Sequence, residues 1–201
     1  MTPIVVDKHC LVLTHGAGSN RNAPLLVALD EAFSGQGWLV QRCDLAFRQA
    51  RPQGPPPRGS AELDQQGLRE AVLALRKQTT GRVFLGGHSY GGRQASMLVA
   101  EEPGLVEGLL LLSYPLHPPQ RPSELRTAHF PNLKAPAFFV HGTKDGFGTL
   151  DEMAAALPLI PAPTTLLSVA GAGHELLSKK NRAQLTSAVL SQFSTFMCER
   201  E

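Results

Sequence analysis

A chain of 201 residues, 42% of them hydrophobic, is long enough to bury a sizeable core, and we expect one domain over residues 1–201. The formal net charge is only +2 at pH 7 and the basic residues are scattered, which argues against a nucleic-acid-binding protein. No apolar stretch approaches the length of a membrane span, and the first ten residues lack the pattern of a signal peptide. We therefore expect a cytoplasmic protein that does not bind a membrane.

The cysteines and the glycine-rich stretches give no sign of a cofactor. Cys10, Cys43 and Cys198 are an odd number without metal-ligand spacing, so we expect reduced thiols and no metal site. The glycines lack the spacing of a phosphate-binding P-loop or of a dinucleotide-binding motif. The sequence therefore predicts that the protein needs neither metal nor other cofactor.

Short apolar runs alternate with helical patterns along the chain. Runs that are apolar on both faces are typical of parallel strands covered by helices on each side. The alternation favours an α/β fold, a three-layer α/β/α sandwich around a mostly parallel sheet of about six strands, with no large cap domain. The predicted strands cover residues 10–14, 38–43, 82–85, 109–113, 137–140 and 164–169, and the predicted helices cover 22–35, 60–75, 93–98, a short stretch from 150, and 181–199.

Two of the predicted helices have capping signals at their starts. Ser60 is a suitable N-cap for the helix that carries Leu63 and Leu68 on its apolar face. Thr149 and Glu152 have the spacing of a capping box, in which each side chain bonds to the backbone of the other residue.

Two proline-rich connections interrupt the alternation. Residues 45–59 are too rich in proline for regular structure, and residues 114–134 form a connection long enough to be a functional or lid-like segment. Both connections carry arginines, which either keep the surface soluble or bind an anionic group of a substrate. These arginines are Arg48, Arg51, Arg58, Arg121 and Arg126.

The stretch Gly87-His88-Ser89-Tyr90-Gly91 matches the G-x-S-x-G pattern between a predicted strand and a predicted helix. A chance match in a chain of this composition has a probability on the order of one in ten, so the strand and helix around it matter as much as the motif. Glycines two residues before and after Ser89 allow a sharp reversal in which neighbouring chain comes too close for a Cβ. Such a turn lifts the serine hydroxyl clear of the backbone at the start of a helix.

A serine nucleophile needs an imidazole to take its proton and an acid to orient that imidazole. His174 follows the last predicted strand, and Asp145 follows the strand before it. The order Ser89, Asp145, His174 is the order expected of α/β-hydrolases. The nearby Asp151 and Glu152 are better explained as first-turn residues of a helix. We therefore predict a catalytic triad of Ser89, Asp145 and His174.

The remaining candidate residues lie on loops that follow the predicted strands. The backbone amides of Ala17 and Tyr90 are predicted to form an oxyanion hole. His15 is expected chiefly to shape its loop by hydrogen bonding. Candidate substrate-contacting residues are His15, His88, Tyr114, His117 and Phe147.

The segments HGAGSN, GGHSYGGR, HGTKDGFG and GAGH resemble the α/β-hydrolase family, in its order and over nearly the whole chain. YPLHPP, the RT of LRTAHFPNL, and DGFGT are most similar to a small capless branch near dienelactone hydrolases and animal testis-expressed hydrolase-like proteins. The resemblance implies metal-free, serine-dependent hydrolysis of an ester or related acyl compound. A dienelactone hydrolase has cysteine where Ser89 stands, so its substrate does not carry over. The amino-terminal antiparallel strands of larger relatives have room only in residues 3–7.

Two hypotheses of different class follow. The first is a serine hydrolase that forms an acyl-enzyme on Ser89 and acts on a small-molecule acyl substrate in an open, shallow site. The second is a catalytically weak or inactive protein of this fold that serves as a binding or complex subunit, with residues 114–134 as its contact surface. The complete triad favours the first hypothesis.

Overall fold

The computed structural model describes residues 6–198, and its centre is a six-stranded sheet in which every neighbouring pair is parallel. The strands are β1 Cys10–Thr14, β2 Leu39–Cys43, β3 Val83–His88, β4 Gly108–Leu112, β5 Ala137–Gly142 and β6 Thr164–Val169. They lie side by side in the order β2-β1-β3-β4-β5-β6. The helices are α1 Pro24–Gly35, α2 Ala46–Ala50, α3 Ala61–Arg76, α4 Tyr90–Glu101, α5 Leu150–Ala156 and α6 Arg182–Cys198.

Each face of the sheet buries its own apolar core. Along β1, Leu11 and Leu13 point into a core shared with α1 and α6, whereas Cys10 and Val12 point into a core shared with α3 and α4. This division follows from the two-residue period of a strand, which sends successive side chains to opposite faces. The predicted three-layer sandwich is confirmed, and no large cap domain covers it within residues 6–198.

The structure corrects two sequence predictions around α3. Residues 45–59 contain α2, which begins where the Phe47 amide donates to the carboxylate of Asp64 at 2.9 Å. The side chain of Ser60 makes no capping hydrogen bond, and Leu63 is 60% exposed. Asp64 is buried instead, because its carboxylate finds partners inside the protein that a pattern of apolar residues does not reveal.

The capping box of α5 is confirmed. The Thr149 hydroxyl accepts from the Glu152 amide, and the Glu152 carboxylate accepts from the Thr149 amide. These bonds begin the helix directly after the loop that carries Asp145, so they fix where that loop ends.

The long connection after β4 is anchored to the body of the protein. The buried hydroxyl of Tyr114 donates to the carbonyl of Arg126 at 2.6 Å, and the Arg126 amide donates to the carbonyl of Leu116 at 2.8 Å. His129 bonds through Nε2 to the hydroxyl of Ser96 on α4 at 2.8 Å. The connection therefore holds Arg126 in a defined place beside α4.

The described amino-terminal end contributes one parallel contact to the sheet region. Val6 forms an isolated parallel bridge with Thr79. Residues 3–5, part of the stretch that leaves room for the amino-terminal strands of larger relatives, lie outside the described residues. None of the helices within residues 6–198 is long and apolar enough to cross a membrane.

One glycine-to-alanine pair tests the crowding behind the serine turn. A Cβ at Gly87 would lie 2.5 Å from the Gly92 nitrogen, whereas a Cβ at Gly67 in α3 would meet nothing within 4 Å. We expect Gly87→Ala to destabilise the protein by roughly 1–3 kcal/mol through overpacking. Gly67→Ala should stabilise it by about 0.5–1 kcal/mol through helix propensity. Urea unfolding measures both, and equal effects at the two positions would contradict the crowding.

The long connection gives a pH dependence that can be measured. Burial and the positive charge of Arg93 lower the pKa of His129 from 6.5 to about 4. The unfolded chain therefore binds a proton between pH 6.5 and 4 that the folded chain excludes, and stability is lost as the pH falls through this window. His129→Gln can keep the bond to Ser96 but cannot titrate. When the pH falls from 7 to 4.5, the free energy of unfolding of this variant should therefore decrease less than that of wild type, by about 1–3 kcal/mol. Urea unfolding at pH 7 and pH 4.5 compares the two proteins, and parallel losses would refute the assignment.

Candidate active site

Four loops meet at one edge of the sheet because the carboxyl ends of parallel strands lie together. The loop after β1 and the turn after β3 are neighbours in space, since these two strands pair directly. The loops after β5 and β6 are also joined beyond their strands, where the Lys144 amide donates to the carbonyl of Ala172 at 2.8 Å. The topology thus brings together the segments that carry Ser89, Asp145 and His174.

Ser89 sits in a strained reversal between β3 and α4. It has φ of 50° and ψ of −118°, a region that a residue with a side chain rarely adopts. The predicted crowding around it is confirmed at both glycines, because a Cβ at Gly91 would lie 2.4 Å from the carbonyl oxygen of His15 and one at Gly87 would strike Gly92. The Ser89 amide donates to the carbonyl of Leu112 at 2.8 Å, which ties the turn to β4.

Ser89, His174 and Asp145 form one hydrogen-bonded chain. The Oγ of Ser89 lies 2.7 Å from the Nε2 of His174. On the other side of the ring, Nδ1 lies 2.9 and 2.8 Å from the two carboxylate oxygens of Asp145. A carboxylate can only accept, so Nδ1 carries the proton and Nε2 is free to accept from the serine hydroxyl. The roles of these residues in catalysis stay a prediction.

Asp145 is kept in its ionised form inside the protein. Burial by itself raises the pKa of this carboxyl, but the hydrogen bonds from His174 and from the Phe147 amide, at 2.9 Å, outweigh it and the pKa falls below its ordinary value. The imidazole of His141 adds to this effect at 3.7 Å from the carboxylate. A charged carboxylate is the form that stabilises a protonated His174.

Two further contacts hold His174, one at its backbone and one at its ring. The backbone carbonyl of His174 accepts a hydrogen bond from the Nε2 of His88 at 2.9 Å. The ring of Phe147 packs against the imidazole with centroids 4.2 Å apart. These contacts fix both the loop and the ring plane, so that Nε2 faces the serine.

The two amides predicted for an oxyanion hole are available to a ligand. Tyr90 is the first residue of α4, so its amide has no acceptor within the helix. The Ala17 amide makes no hydrogen bond to any residue between 6 and 198. Both residues line the same cleft as Ser89.

Two buried charged side chains hold the residues that carry these amides, and neither role was predicted from the sequence. The guanidinium of Arg48 donates to the carbonyls of Ala17 at 2.8 Å and Ser19 at 2.8 Å, and also to those of Gly54 and Arg51. The carboxylate of Asp64 accepts from the hydroxyl of Tyr90 at 2.8 Å.

One of these roles had a signal in the sequence. Asp64 falls on the buried stripe of α3 with Leu68, Val72 and Leu75, and an acid in such a stripe is buried with partners. Arg48 has no comparable signal, because its partners are backbone carbonyls brought close by the fold.

The cleft at Ser89 has a volume of about 360 Å³ and combines apolar walls with positive charge. Its lining residues are Ala17, Pro56, Ser89, Tyr90, Arg93, Pro115, Arg126 and Phe147. Phe147 is the member of the predicted substrate-contacting set that lies in this cleft. Within residues 6–198, no cluster of three or more His, Cys, Asp or Glu side chains is arranged to hold a metal ion.

The structure turns the other four predicted substrate-contacting residues away from the cleft. His15 is fully buried, with Nδ1 donating to the Gly16 carbonyl at 2.8 Å and Nε2 accepting from the Leu45 amide at 3.1 Å, and burial lowers its pKa. This placement agrees with its expected loop-shaping role. Both nitrogens bond within the protein, so the neutral ring joins two loops.

His88, Tyr114 and His117 are also buried and used within the protein. Tyr114 holds Arg126, His88 holds the carbonyl of His174, and His117 bonds to the Pro118 carbonyl at 2.8 Å and approaches Glu152 at 3.4 Å. A position at a strand end predicts closeness to the site but not the direction in which the side chain points. These three residues support the loops of the site from behind.

Arg93 is a cleft residue that the sequence analysis did not single out. It lies four residues after Ser89, and positions four apart share one face of a helix. That spacing was a usable signal, because α4 begins directly behind the serine.

A family model described as an alpha/beta hydrolase domain matches residues 7–199. Est1E from Butyrivibrio proteoclasticus, solved with ferulic acid bound, has a similar fold, with a TM-score of 0.78 and 15% identity over 96% of this chain and 90% of that chain. A dienelactone hydrolase from Anabaena variabilis has a TM-score of 0.71 and 21% identity over 94% of this chain and 87% of that chain. An alpha-beta serine hydrolase homologue from Coxiella burnetii has a TM-score of 0.71 and 18% identity over 96% and 88%.

The structural likenesses are below 25% identity and show the fold, while the family model spans nearly the whole chain. Together with the six-stranded parallel sheet, that match gives the family: the chain belongs to the alpha/beta hydrolase domain family.

Proposed function

We propose that the protein is a serine hydrolase that cleaves a carboxylic ester or related acyl bond through an acyl-enzyme on Ser89. The observation that carries the proposal is the hydrogen-bonded chain in which Ser89 lies 2.7 Å from His174 and His174 lies 2.8 Å from Asp145. A serine hydroxyl with an oriented, neutral imidazole at this distance is an activated nucleophile.

Acylation begins when the Oγ of Ser89 attacks the carbonyl carbon of the substrate and its proton passes to the Nε2 of His174. The carbonyl oxygen becomes an oxyanion that accepts hydrogen bonds from the amides of Ala17 and Tyr90. Loss of one such donor costs about 2.7–4 kcal/mol of transition-state stabilisation in a serine protease. His174 then gives its proton to the leaving alcohol as the bond between carbon and leaving oxygen breaks.

Deacylation repeats these steps with water. His174 takes a proton from the water molecule that attacks the acyl carbon, and the oxyanion again forms between Ala17 and Tyr90. The imidazolium returns the proton to Ser89 as the acid leaves. Asp145 stays ionised throughout, stabilising the imidazolium and fixing the tautomer.

A fluorophosphonate probe tests the nucleophile directly. We expect wild type to be labelled once, because the probe reacts with a serine activated by a triad, and Ser89→Ala to remove the label. Asp145→Asn should slow ester hydrolysis by about 10³–10⁴-fold, since the neutral amide favours the wrong imidazole tautomer. Ser187→Ala changes an exposed serine on α6 and is the matched control, with labelling expected at the wild-type rate. Absence of label on folded wild type would favour a binding protein of this fold instead.

The size of the cleft predicts a preference for short acyl chains. Each buried methylene contributes about 0.8 kcal/mol, but a methylene that stays in water contributes nothing. With a cleft of about 360 Å³ and no large cap within the described part of the chain, we expect kcat/KM to stop rising beyond a butyryl group. A series of 4-nitrophenyl esters from acetyl to dodecanoyl, each below its solubility limit, measures this. A continued rise with every added methylene would contradict the open-site proposal.

A further inference from the structure

Two arginines in the Ser89 cleft have almost none of their hydrogen-bonding capacity used by the protein. A guanidinium carries five N–H donors. The side chain of Arg93 makes no hydrogen bond to any residue in the range 6–198, and its buried Nε has no partner there. Arg126 makes one long side-chain bond, from Nη1 to the carbonyl of Pro115 at 3.3 Å. Both arginines line the same cavity as Ser89.

These two arginines lack the carboxylate partners that six other arginines of the protein have. No aspartate or glutamate between residues 6 and 198 lies within 4.0 Å of either guanidinium. In contrast, carboxylates pair with Arg21, Arg42, Arg69, Arg76, Arg121 and Arg182. The two guanidiniums of the cleft therefore have no carboxylate paired with them, and the charge of Glu124 acts on Arg126 only from farther away.

The two charges oppose each other and are partly removed from water. Burial lowers the pKa of Arg126, and the charge of Arg93 lowers it further. The same Arg93 charge contributes to the lowered pKa of His129. An anion bound by both guanidiniums would relieve the repulsion between them.

The protein holds this arrangement in place before any ligand arrives. Arg126 is fixed through its backbone, which accepts from Tyr114 and donates to Leu116. Arg93 is fixed on the first turns of α4, four residues after the serine. An anchored backbone limits where each side chain can reach, and the flat fork of donors of a guanidinium suits a carboxylate or a phosphate.

We propose that Arg93 and Arg126 bind an anionic oxygen group, a carboxylate or a phosphate, on the substrate whose acyl bond Ser89 cleaves. The inference rests on the proposed hydrolase function and narrows its substrate class to esters or related acyl compounds that carry a negative charge near the scissile bond. Phe147 and Pro115 supply the apolar part of the same cleft and contact the carbon chain between the two groups.

Three 4-nitrophenyl esters of equal chain length test the proposal: one ends in a carboxylate, one in a phosphonate and one in a neutral methyl ester. We expect wild type to have a higher kcat/KM on at least one anionic ester than on the neutral one. The ester with the higher kcat/KM shows whether the cleft binds a carboxylate or a phosphate-like group. Arg93→Gln and Arg126→Gln should each reduce the ratio of anionic to neutral kcat/KM by about ten- to hundredfold, the range for a hydrogen bond to a charged group.

Arg121→Gln is the matched control. Arg121 lies on the same connection as Arg126, but its side chain is 66% exposed and pairs with Glu124. We expect this variant to keep the wild-type ratio. The proposal would be overturned if wild type had no higher kcat/KM on either anionic ester than on the neutral ester. It would also be overturned if neither Arg93→Gln nor Arg126→Gln changed the ratio of anionic to neutral kcat/KM.

Binding to Ser89→Ala separates this inference from the hydrolase proposal. Calorimetric titration of Ser89→Ala with the anionic esters measures affinity without turnover, and adding Arg126→Gln should weaken binding about ten- to hundredfold. If wild type is neither labelled nor active but Ser89→Ala still binds an anionic ester through Arg126, the hydrolase proposal fails and the anion site stands. If the neutral ester is hydrolysed through Ser89 but the anionic esters bind no better with Arg126 present, only the anion site fails.

Discussion

The reversal of the chain at Ser89 is the constraint on which the whole site depends. A residue with a side chain at φ of 50° costs on the order of 1–3 kcal/mol, and the surrounding structure must supply it. The sheet does so through the bond from Ser89 to β4, and the glycines on either side let α4 and the β1 loop come within van der Waals distance of the turn. Because the turn is fixed, the position of the Ser89 hydroxyl relative to the Tyr90 amide is fixed as well.

Buried polar groups orient every other part of the site. Arg48 holds the loop with the Ala17 amide, Asp64 holds the side chain of Tyr90, and His88 holds the loop of His174. Each uses hydrogen bonds inside the protein, where a missing partner is costly and a satisfied one is rigid. The residues that touch the reacting atoms are thus placed by charged and polar residues behind them, which explains why so much polar surface is buried at this edge of the sheet.

The features that the sequence predicted are local ones, whereas the features that it did not predict are contacts between distant segments. Strands 10–14 and 164–169 were predicted with the bounds that the structure gives. For 10–14 the reason is that a run that is apolar on both faces is typical of a buried parallel strand. The sharp turn at Ser89 was predicted because such a turn needs glycines close to it in the sequence. Asp145 and His174 were predicted as partners from their loops, and in the structure His174 bonds to Ser89 while Asp145 bonds to His174.

The errors concern the direction of side chains and contacts between distant segments. His15 and Tyr114 stand at strand ends, yet they point inward, because their polar atoms have buried backbone partners. The helix α2 forms within a segment of high proline content because Asp64, on another helix, caps its first turn. Arg93 gave only a weak local signal. Such features depend on tertiary packing, which a pattern along one chain does not contain.

The charge of the cleft adds a second requirement to the chemistry. A serine, a neutral imidazole and two free amides are suited to acyl transfer in general, and we propose that the guanidiniums of Arg93 and Arg126 select acyl compounds that carry an anionic group. Arg93 lies on α4, the helix that begins directly behind Ser89, whereas Arg126 is contributed by the long connection after β4.

The proposed mechanism requires that an acyl group passes through Ser89. Acid quenching during turnover of 4-nitrophenyl butyrate, followed by peptide mass spectrometry, measures where the acyl group is bound. We expect a butyryl group on the peptide that contains Ser89. Turnover with the butyryl group on another residue, or with no acylated peptide under conditions in which deacylation limits the rate, would contradict it.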